Sequence, residues 1–219
     1  MSFSTERLGE AECLDGETQS VLVSQAMPPA STTVETRVLD AAKACCERWG
    51  IDKVTIDDIA NDAGVSRATL YRLFPGGKDV LFEALRVREL EDFFTRLTGH
   101  VDGALDLEDL LVRTVVAATH ELRDDQSLAL MLASAPGDTL SQLTVEGLPR
   151  IMRVATIFLA PLVDPYLPRR EWARLVELLS RLVISYFLAP SDHVDLGDAD
   201  SARPFINTFI LPAFQASLT

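Results

Sequence analysis

Ser66, Arg67, Thr69, Tyr71, Arg72 and Lys78 concentrate hydroxyl, phenol, guanidinium and ammonium groups into one short run. From Gly64 to Lys78 there are three cations, Arg67, Arg72 and Lys78, and no acid. A guanidinium presents a fork of donors that pairs with the O6 and N7 edge of guanine. Hydroxyls and cations reach phosphate oxygens, which position a protein on a duplex without reading its sequence. On that chemistry Arg67 and Thr69 are the first choice for base edges. Tyr71, Arg72 and Lys78 suit phosphates, and Ser66 suits a helix cap that can also meet a phosphate. Tyr71 also fits as a structural tyrosine.

Two short helices must position these groups. Thr55 precedes an apolar set at Ile56, Ile59, Ala60 and Ala63, whose spacing places four apolar groups on one helical face. Thr55 and Asp58 have the spacing of a variant helix-start box. Gly64 follows the last periodic residue, where a helix commonly stops in a left-handed conformation. Val65 fills the gap between the two helices. Ser66 caps a second helix from Arg67 to about Phe74, with Leu70 and Phe74 four apart on its inner face. This is the pattern of a helix-turn-helix whose second helix fits the B-DNA major groove. The same spacing describes an ordinary helical hairpin on a globular surface.

A longer helix precedes the pair, from about Thr33 to Trp49. Thr32 and Glu35 have capping-box spacing. Val34, Val38, Ala41, Ala42, Cys45 and Trp49 form its apolar stripe, and Gly50 ends it. It packs across the two short helices and holds their angle. Arg37, near its start, fits either a phosphate contact or a solvated surface arginine.

The run ACCERWGIDKVTIDDIANDAGVSRATLYRLF, with Lys78 and Leu81 beyond it, resembles the DNA-binding domain of the TetR family of bacterial regulators. The likeness extends from Thr33 to about Leu85. It includes the Gly50 turn, the Thr55 cap, the Ile59-Ala60 pair, Ala63-Gly64-Val65 and Thr69-Leu70-Tyr71. It implies an all-α homodimer with an N-terminal three-helix helix-turn-helix domain, joined by a long helix to a C-terminal helical ligand-binding and dimerisation domain. Residues 1–30, Glu-rich, without helical or strand periodicity and broken by Pro28-Pro29, read as an acidic flexible leader, with a short helix or strand at 17–25 as the alternative. The resemblance implies the DNA-binding domain at 31–78 and the second domain at 79–219. Thr55 joins the DNA-facing set. Lys78 contacts a backbone phosphate, although Phe74-Pro75-Gly76-Gly77-Lys78 places the lysine one residue later than is usual in the family.

Beyond this stretch the chain reads as amphipathic helices. One runs from about Asp79 to Leu97, ended by Gly99-His100, and connects the two domains. Others run from about Leu107 to Arg123, from Ser127 to Ala135 (closed by Pro136-Gly137), from Glu146 to Val163 and from Pro168 to Leu188. A last helix starts near Asp200 or Ser201. No strand-like alternation and no internal repeat is found. A pocket among these helices would have apolar walls and a few polar groups. Its candidate lining residues are Phe93, Phe94, His120, Arg123, Met131, Met152, Phe158, Trp172 and Tyr186, most of which also fit plain core. The last two helices have wide apolar faces that a monomer could bury. The resemblance implies that they pair with their mates in a dimer through Leu175, Leu179, Leu182, Val183, Phe187, Phe205 and Phe209.

The 219 residues carry a net charge of -13, which by itself disfavours a nucleic-acid partner. The charge is uneven. Residues 35–88 hold nine cations and nine acids, whereas residues 89–219 hold ten cations and nineteen acids. An acidic second domain standing well beyond the Debye length of about 8 Å costs DNA binding little. Three cysteines, two of them the adjacent Cys45 and Cys46, give neither a disulfide framework nor zinc spacing. A reducing cytoplasm fits. A redox role for Cys45 or Cys46 is weighed against a small buried helix residue. The leader lacks the basic-then-apolar order of a secretory signal, and no apolar run approaches a membrane span.

No nucleophile elbow, phosphate-cradling glycine loop or HExxH occurs, so an enzyme, a metal and a cofactor are not expected. The expected function is a sequence-specific transcriptional regulator. In the leading reading it is a repressor released from a palindromic operator by a small, largely apolar ligand. The alternative is a constitutive DNA-binding module without a ligand-responsive second domain.

Overall fold

The structure, a computed structural model, describes residues 34–215, and every regular element among them is helical. The expected leader lies outside the described residues. The order is α1 (Val34–Trp49), α2 (Ile56–Asp62), α3 (Arg67–Leu73), α4 (Lys78–Val101), α5 (Leu107–Asp124), α6 (Gln126–Ser134), α7 (Pro136–Leu143), α8 (Leu148–Val163), α9 (Arg169–Leu188) and α10 (Ala199–Phe205). A π-helical turn at Ile206–Ile210 follows α10, and α11 (Leu211–Gln215) follows the turn.

Two apolar cores organise these helices, and α4 belongs to both. The first gathers Val38, Ala42 and Cys45 of α1, Ile59 of α2, Leu70 of α3 and Leu81, Phe82 and Leu85 of α4. The second gathers Phe94, Leu97 and Val101 of α4 with aliphatic residues of α5, α8, α9 and α10. With 24 residues, α4 is about 36 Å long at the usual helical rise. It runs past Gly99-His100, where the sequence pattern ends it. One exposed glycine costs a helix about 1 kcal/mol. Burial of Leu97 and Val101 on either side offsets that cost.

Between the two cores, α4 is tied laterally by charge. Arg88 donates to Asp40 at 2.8 Å and Lys43 pairs with Glu89, both joining α4 to α1. Arg150 of α8 donates to Glu83 of α4 at 2.7 Å and to Gln142 of α7 at 3.3 Å.

Three local expectations are corrected. Pro136-Gly137 opens α7 rather than only closing α6, because proline lacks the N–H that the first helical turn leaves unpaired. The last helix is interrupted by a π turn shortly after Pro204, which cannot supply its helical hydrogen bond. Trp49, counted in the apolar stripe of α1, is 43% exposed, and the Arg48 guanidinium sits 5.0 Å from its ring centre.

Candidate nucleic-acid interface

The turn between α2 and α3 is built from short-range hydrogen bonds. The Thr55 hydroxyl donates to Asp58 Oδ2 at 2.6 Å and accepts from the Asp58 amide at 3.2 Å. The Asp58 carboxylate in turn accepts from the Thr55 amide at 3.0 Å, completing the capping box. These bonds favour the ionised carboxyl and hold Asp58 below its ordinary pKa. Gly64 takes φ +65, the left-handed value the turn requires. At the start of α3 the Thr69 amide donates to Ser66 Oγ at 3.1 Å, and the two hydroxyls lie 2.9 Å apart.

With Leu70 fully buried beneath it, α3 turns Arg67, Tyr71 and Arg72 outward. Arg67 has two neighbours that hold it. Its Nη1 donates to Asp57 Oδ2 of α2 at 3.2 Å, and its guanidinium carbon lies 5.6 Å from the Tyr71 ring centre. The bond to Tyr71 and the charge of Asp57 both favour its protonated form. Arg72 and Arg37 are exposed and make no ion pair among the described residues.

Three expected contact residues have their polar groups committed within the protein. Thr55 is occupied by its box, and the half-buried Thr69 shares its hydroxyl with Ser66. Lys78, also half-buried, donates to the Ile51 carbonyl at 2.9 Å and lies 5.5 Å from the Phe82 ring centre. The extra residue before α4 draws the ammonium toward the loop after α1, not outward. One cation was missed. Lys53 is exposed two residues before Thr55 and makes no ion pair among the described residues. Its place just before a helix cap is the signal in the sequence that points to it.

An apolar cavity of about 100 Å³ lies in the second core, within a cleft of about 640 Å³ that includes its solvent-open mouth. Leu90, Phe93, Phe94 and Leu97 of α4 form one wall. Thr114, Ala118 and Leu122 of α5 form another, and Val176, Leu179, Ser180, Val183 and Ile184 of α9 a third. Leu143 of α7 and Ile151 and Leu159 of α8 complete it. Among the described residues no charged side chain lines it, and the Thr114 hydroxyl already donates to the Leu110 carbonyl at 2.7 Å.

Of the nine expected lining residues, only Phe93 and Phe94 reach this wall. His120 is exposed. It stands two residues past Ala118, roughly 200° around the helix from the wall. Arg123 turns away to Asp195, 2.7 Å from its Oδ1. Met131 is exposed on α6, and on α8 it is Ile151, not Met152, that faces inward. Phe158 stacks behind Phe94 with ring centres 6.2 Å apart. Trp172 is buried one turn before the lining part of α9, and Tyr186 packs on Phe205 at 5.7 Å. What periodicity could not supply was which of many aliphatic residues face one another.

The expected partner-facing set divides as well. Leu175, Leu179 and Val183 are buried in the chain's own core, and Leu179 and Val183 line the cavity, so they offer a partner no surface. Leu182, Phe187 and Phe205 are half-buried and Phe209 is 66% exposed. Tyr186, Phe205 and Phe209 form an aromatic ladder, the latter two 5.3 Å apart. Burial raises the Cys45 thiol and pushes Cys46 up to about 11, which keeps both protonated at neutral pH and argues against a redox role. No group of metal-binding side chains occurs among the described residues, and none of their helices is long and apolar enough to cross a membrane.

Residues 38–85 match the family model described as bacterial regulatory proteins, tetR family. An uncharacterized HTH-type transcriptional regulator of Mycobacterium tuberculosis is 32% identical over 127 residues. That alignment covers 54% of this chain and 65% of the mycobacterial protein, just under two thirds of its length. The HTH-type transcriptional regulator AqdR of Rhodococcus erythropolis is 37% identical over 71 residues, covering 32% of this chain and 34% of AqdR. Among solved structures, the TetR family repressor AlkX from Dietzia sp. strain DQ12-45-1b, implicated in biodegradation of n-alkanes, superposes with a TM-score of 0.60 at 21% identity. It covers 84% of this chain and 97% of AlkX. The R. erythropolis repressor QsdR superposes with a TM-score of 0.53 at 17% identity, over 79% of this chain and 92% of QsdR. At these identities the structural likeness is one of fold.

Proposed function

We propose that this chain, a member of the tetR family of bacterial regulatory proteins through residues 38–85, is a sequence-specific DNA-binding repressor released from its operator by a small, uncharged, apolar ligand. The observation that carries the DNA reading is α3 itself. It is anchored by the fully buried Leu70 and presents Arg67 and Arg72 to solvent from a capped turn. Arg67 reads a base edge. Arg72, Arg37 and Lys53 meet phosphates, and Ser66, Thr69 and Tyr71 support them. Thr55 acts through its cap. Lys78 fixes the loop after α1 and offers its remaining N–H bonds to a phosphate.

The DNA-binding domain spans 31–78 and the ligand and dimer domain 79–219. Two chains pair through the Tyr186–Phe205–Phe209 face together with Leu182 and Phe187. Dimerisation supplies what one short reader helix lacks, since two half-sites read together bind far more tightly than one. The ligand is uncharged because the cavity wall, among the described residues, holds no ion to pair with a charge, and a buried unpaired charge is costly. It releases DNA only in so far as it binds better to the conformer with displaced readers.

Selection from a random duplex pool tests the DNA reading, which expects a palindromic sequence to be enriched. No enrichment would contradict it. Titrating the complex with uncharged apolar compounds tests the rest. Release of DNA is expected, and Ala118→Phe, which fills the cavity, should abolish release while leaving operator binding intact. A complex indifferent to all such compounds would point instead to a constitutive DNA-binding module.

A further inference from the structure

We propose that Asp57 is a positioning residue that determines how sharply Arg67 discriminates its base, with the Tyr71 ring as backstop. The inference rests on the reading of α3 as the helix that contacts DNA.

Asp57 is otherwise an odd residue for this surface. It is 60% exposed on the first turn of α2, beside a helix meant for a polyanion, where a carboxylate repels phosphates. It takes no part in the cap, which Thr55 and Asp58 complete by themselves. Its one polar contact among the described residues is the bond from Arg67 Nη1 at 3.2 Å. That bond occupies one N–H of a five-donor fork and leaves the others for a base.

The second constraint comes from an aromatic ring. The Tyr71 ring, 5.6 Å from the Arg67 guanidinium, is itself backed by the buried Gly77. A Cβ on Gly77 would stand 3.2 Å from Tyr71 Cε1, and Gly77 holds φ +71, so no other residue fits there without strain. The Gly76-Gly77 turn, the feature that displaces Lys78 along the chain, thus gives Tyr71 its seat. Tyr71 and Asp57 together confine a side chain that would otherwise sample many rotamers. Confinement before binding removes an ordering cost that every base would pay alike, and it fixes which base the fork can reach.

The test measures affinity of the full-length chain for its selected duplex, for all single-base variants of that duplex and for unrelated DNA. The proteins are the wild type, Asp57→Ala, Arg67→Ala and the double variant. Asp57→Ala is expected to reduce discrimination at the Arg67 position about two- to tenfold, because the freed fork also reaches other bases and gives up part of the discrimination that a well-placed bidentate pair supplies. It should also tighten binding to unrelated DNA, because one negative charge has left the face. With Arg67→Ala already present, Asp57→Ala should leave the base profile unchanged yet still tighten unrelated binding. Asp57→Asn, which keeps the side-chain shape, should act in the same direction as Asp57→Ala and guards against a packing effect. A wild-type profile that Asp57→Ala leaves intact would overturn the inference alone. So would a profile change of equal size with and without Arg67. A wild type that prefers no sequence would overturn the DNA reading, and this inference with it.

Discussion

The reader domain and the cavity domain are both helical packings around aliphatic cores, but they place their polar side chains differently. In the reader, Thr55–Asp58 and Ser66–Thr69 bond across three residues, and Arg67–Asp57 across ten. In the cavity domain the proposed ligand surface is an apolar wall assembled from α4, α5, α7, α8 and α9, with Thr114 and Ser180 as its only polar lining residues among the described residues. A polar surface built from near neighbours carries its geometry in the local sequence. An apolar surface built from distant helices carries it in packing.

The two cores should show the largest effects. Leu70 and Leu175 are both fully buried, one in each core. Alanine at either should cost about 2–5 kcal/mol by denaturant unfolding. Leu70→Ala should loosen α3 and abolish operator binding. Leu175→Ala should disturb the cavity first, and hydrogen exchange would register its effect in α9 before α3. Equal loss of protection in α3 from both variants would mean that the two regions do not behave separately.

Next in size is the cap. Thr55→Ala removes both bonds of the Thr55 hydroxyl, leaving the backbone amide bond to the Asp58 carboxylate, and should lower stability by about 1 kcal/mol. Its acid dependence has a definite sign. Asp58 has a depressed pKa in the folded state, so its contribution is present above the carboxyl's unfolded pKa and is lost as pH falls through the lower folded one. The wild type should therefore lose more stability than Thr55→Ala in acid titrations below about pH 4. Parallel acid curves would show that the box does not hold the carboxylate.

The smallest expected effect lies where the two regions meet. Hydrogen bonding from Arg150 holds the Glu83 carboxyl below its usual range and joins α8 to the reader end of α4. Glu83 is half exposed, so Arg150→Ala should cost only about 0–1 kcal/mol of stability. Its acid signature runs in the same direction as that of Asp58. Because Ile151, the next residue, lines the cavity, the variant should weaken ligand-induced release of DNA more than it weakens folding. An unchanged ligand response would remove this pair from the coupling between regions.

The same contrast explains what the sequence disclosed. Thr55, Ser66, Gly64 and Leu70 were readable because their roles depend on spacings of three and four residues and on one backbone conformation. Both caps and the Gly64 turn stand as expected. The aim of Lys78 was not legible, since after the Gly76-Gly77 turn its ammonium bonds the Ile51 carbonyl, and spacing alone does not show direction. In the second domain the helices were legible from their amphipathic stripes. The wall residues were not, since Leu122, Ile151 and Val176 look like any core aliphatic until helices far apart in the chain are packed together. Polar or aromatic side chains such as His120, Arg123 and Trp172 attracted notice for their chemistry, yet they lie outside the wall. On α9 the helical period marked Leu179 and Val183 as apolar without showing that they face the chain's own cavity rather than a partner.

Two copies of α3 are proposed to read one operator. Footprinting of the full-length chain on the duplex it selects tests this most directly. Two symmetric protected half-sites are expected, with centres one helical turn of about 34–36 Å apart or a multiple of it. Protection of a single asymmetric half-site, or uniform protection without boundaries, would contradict it.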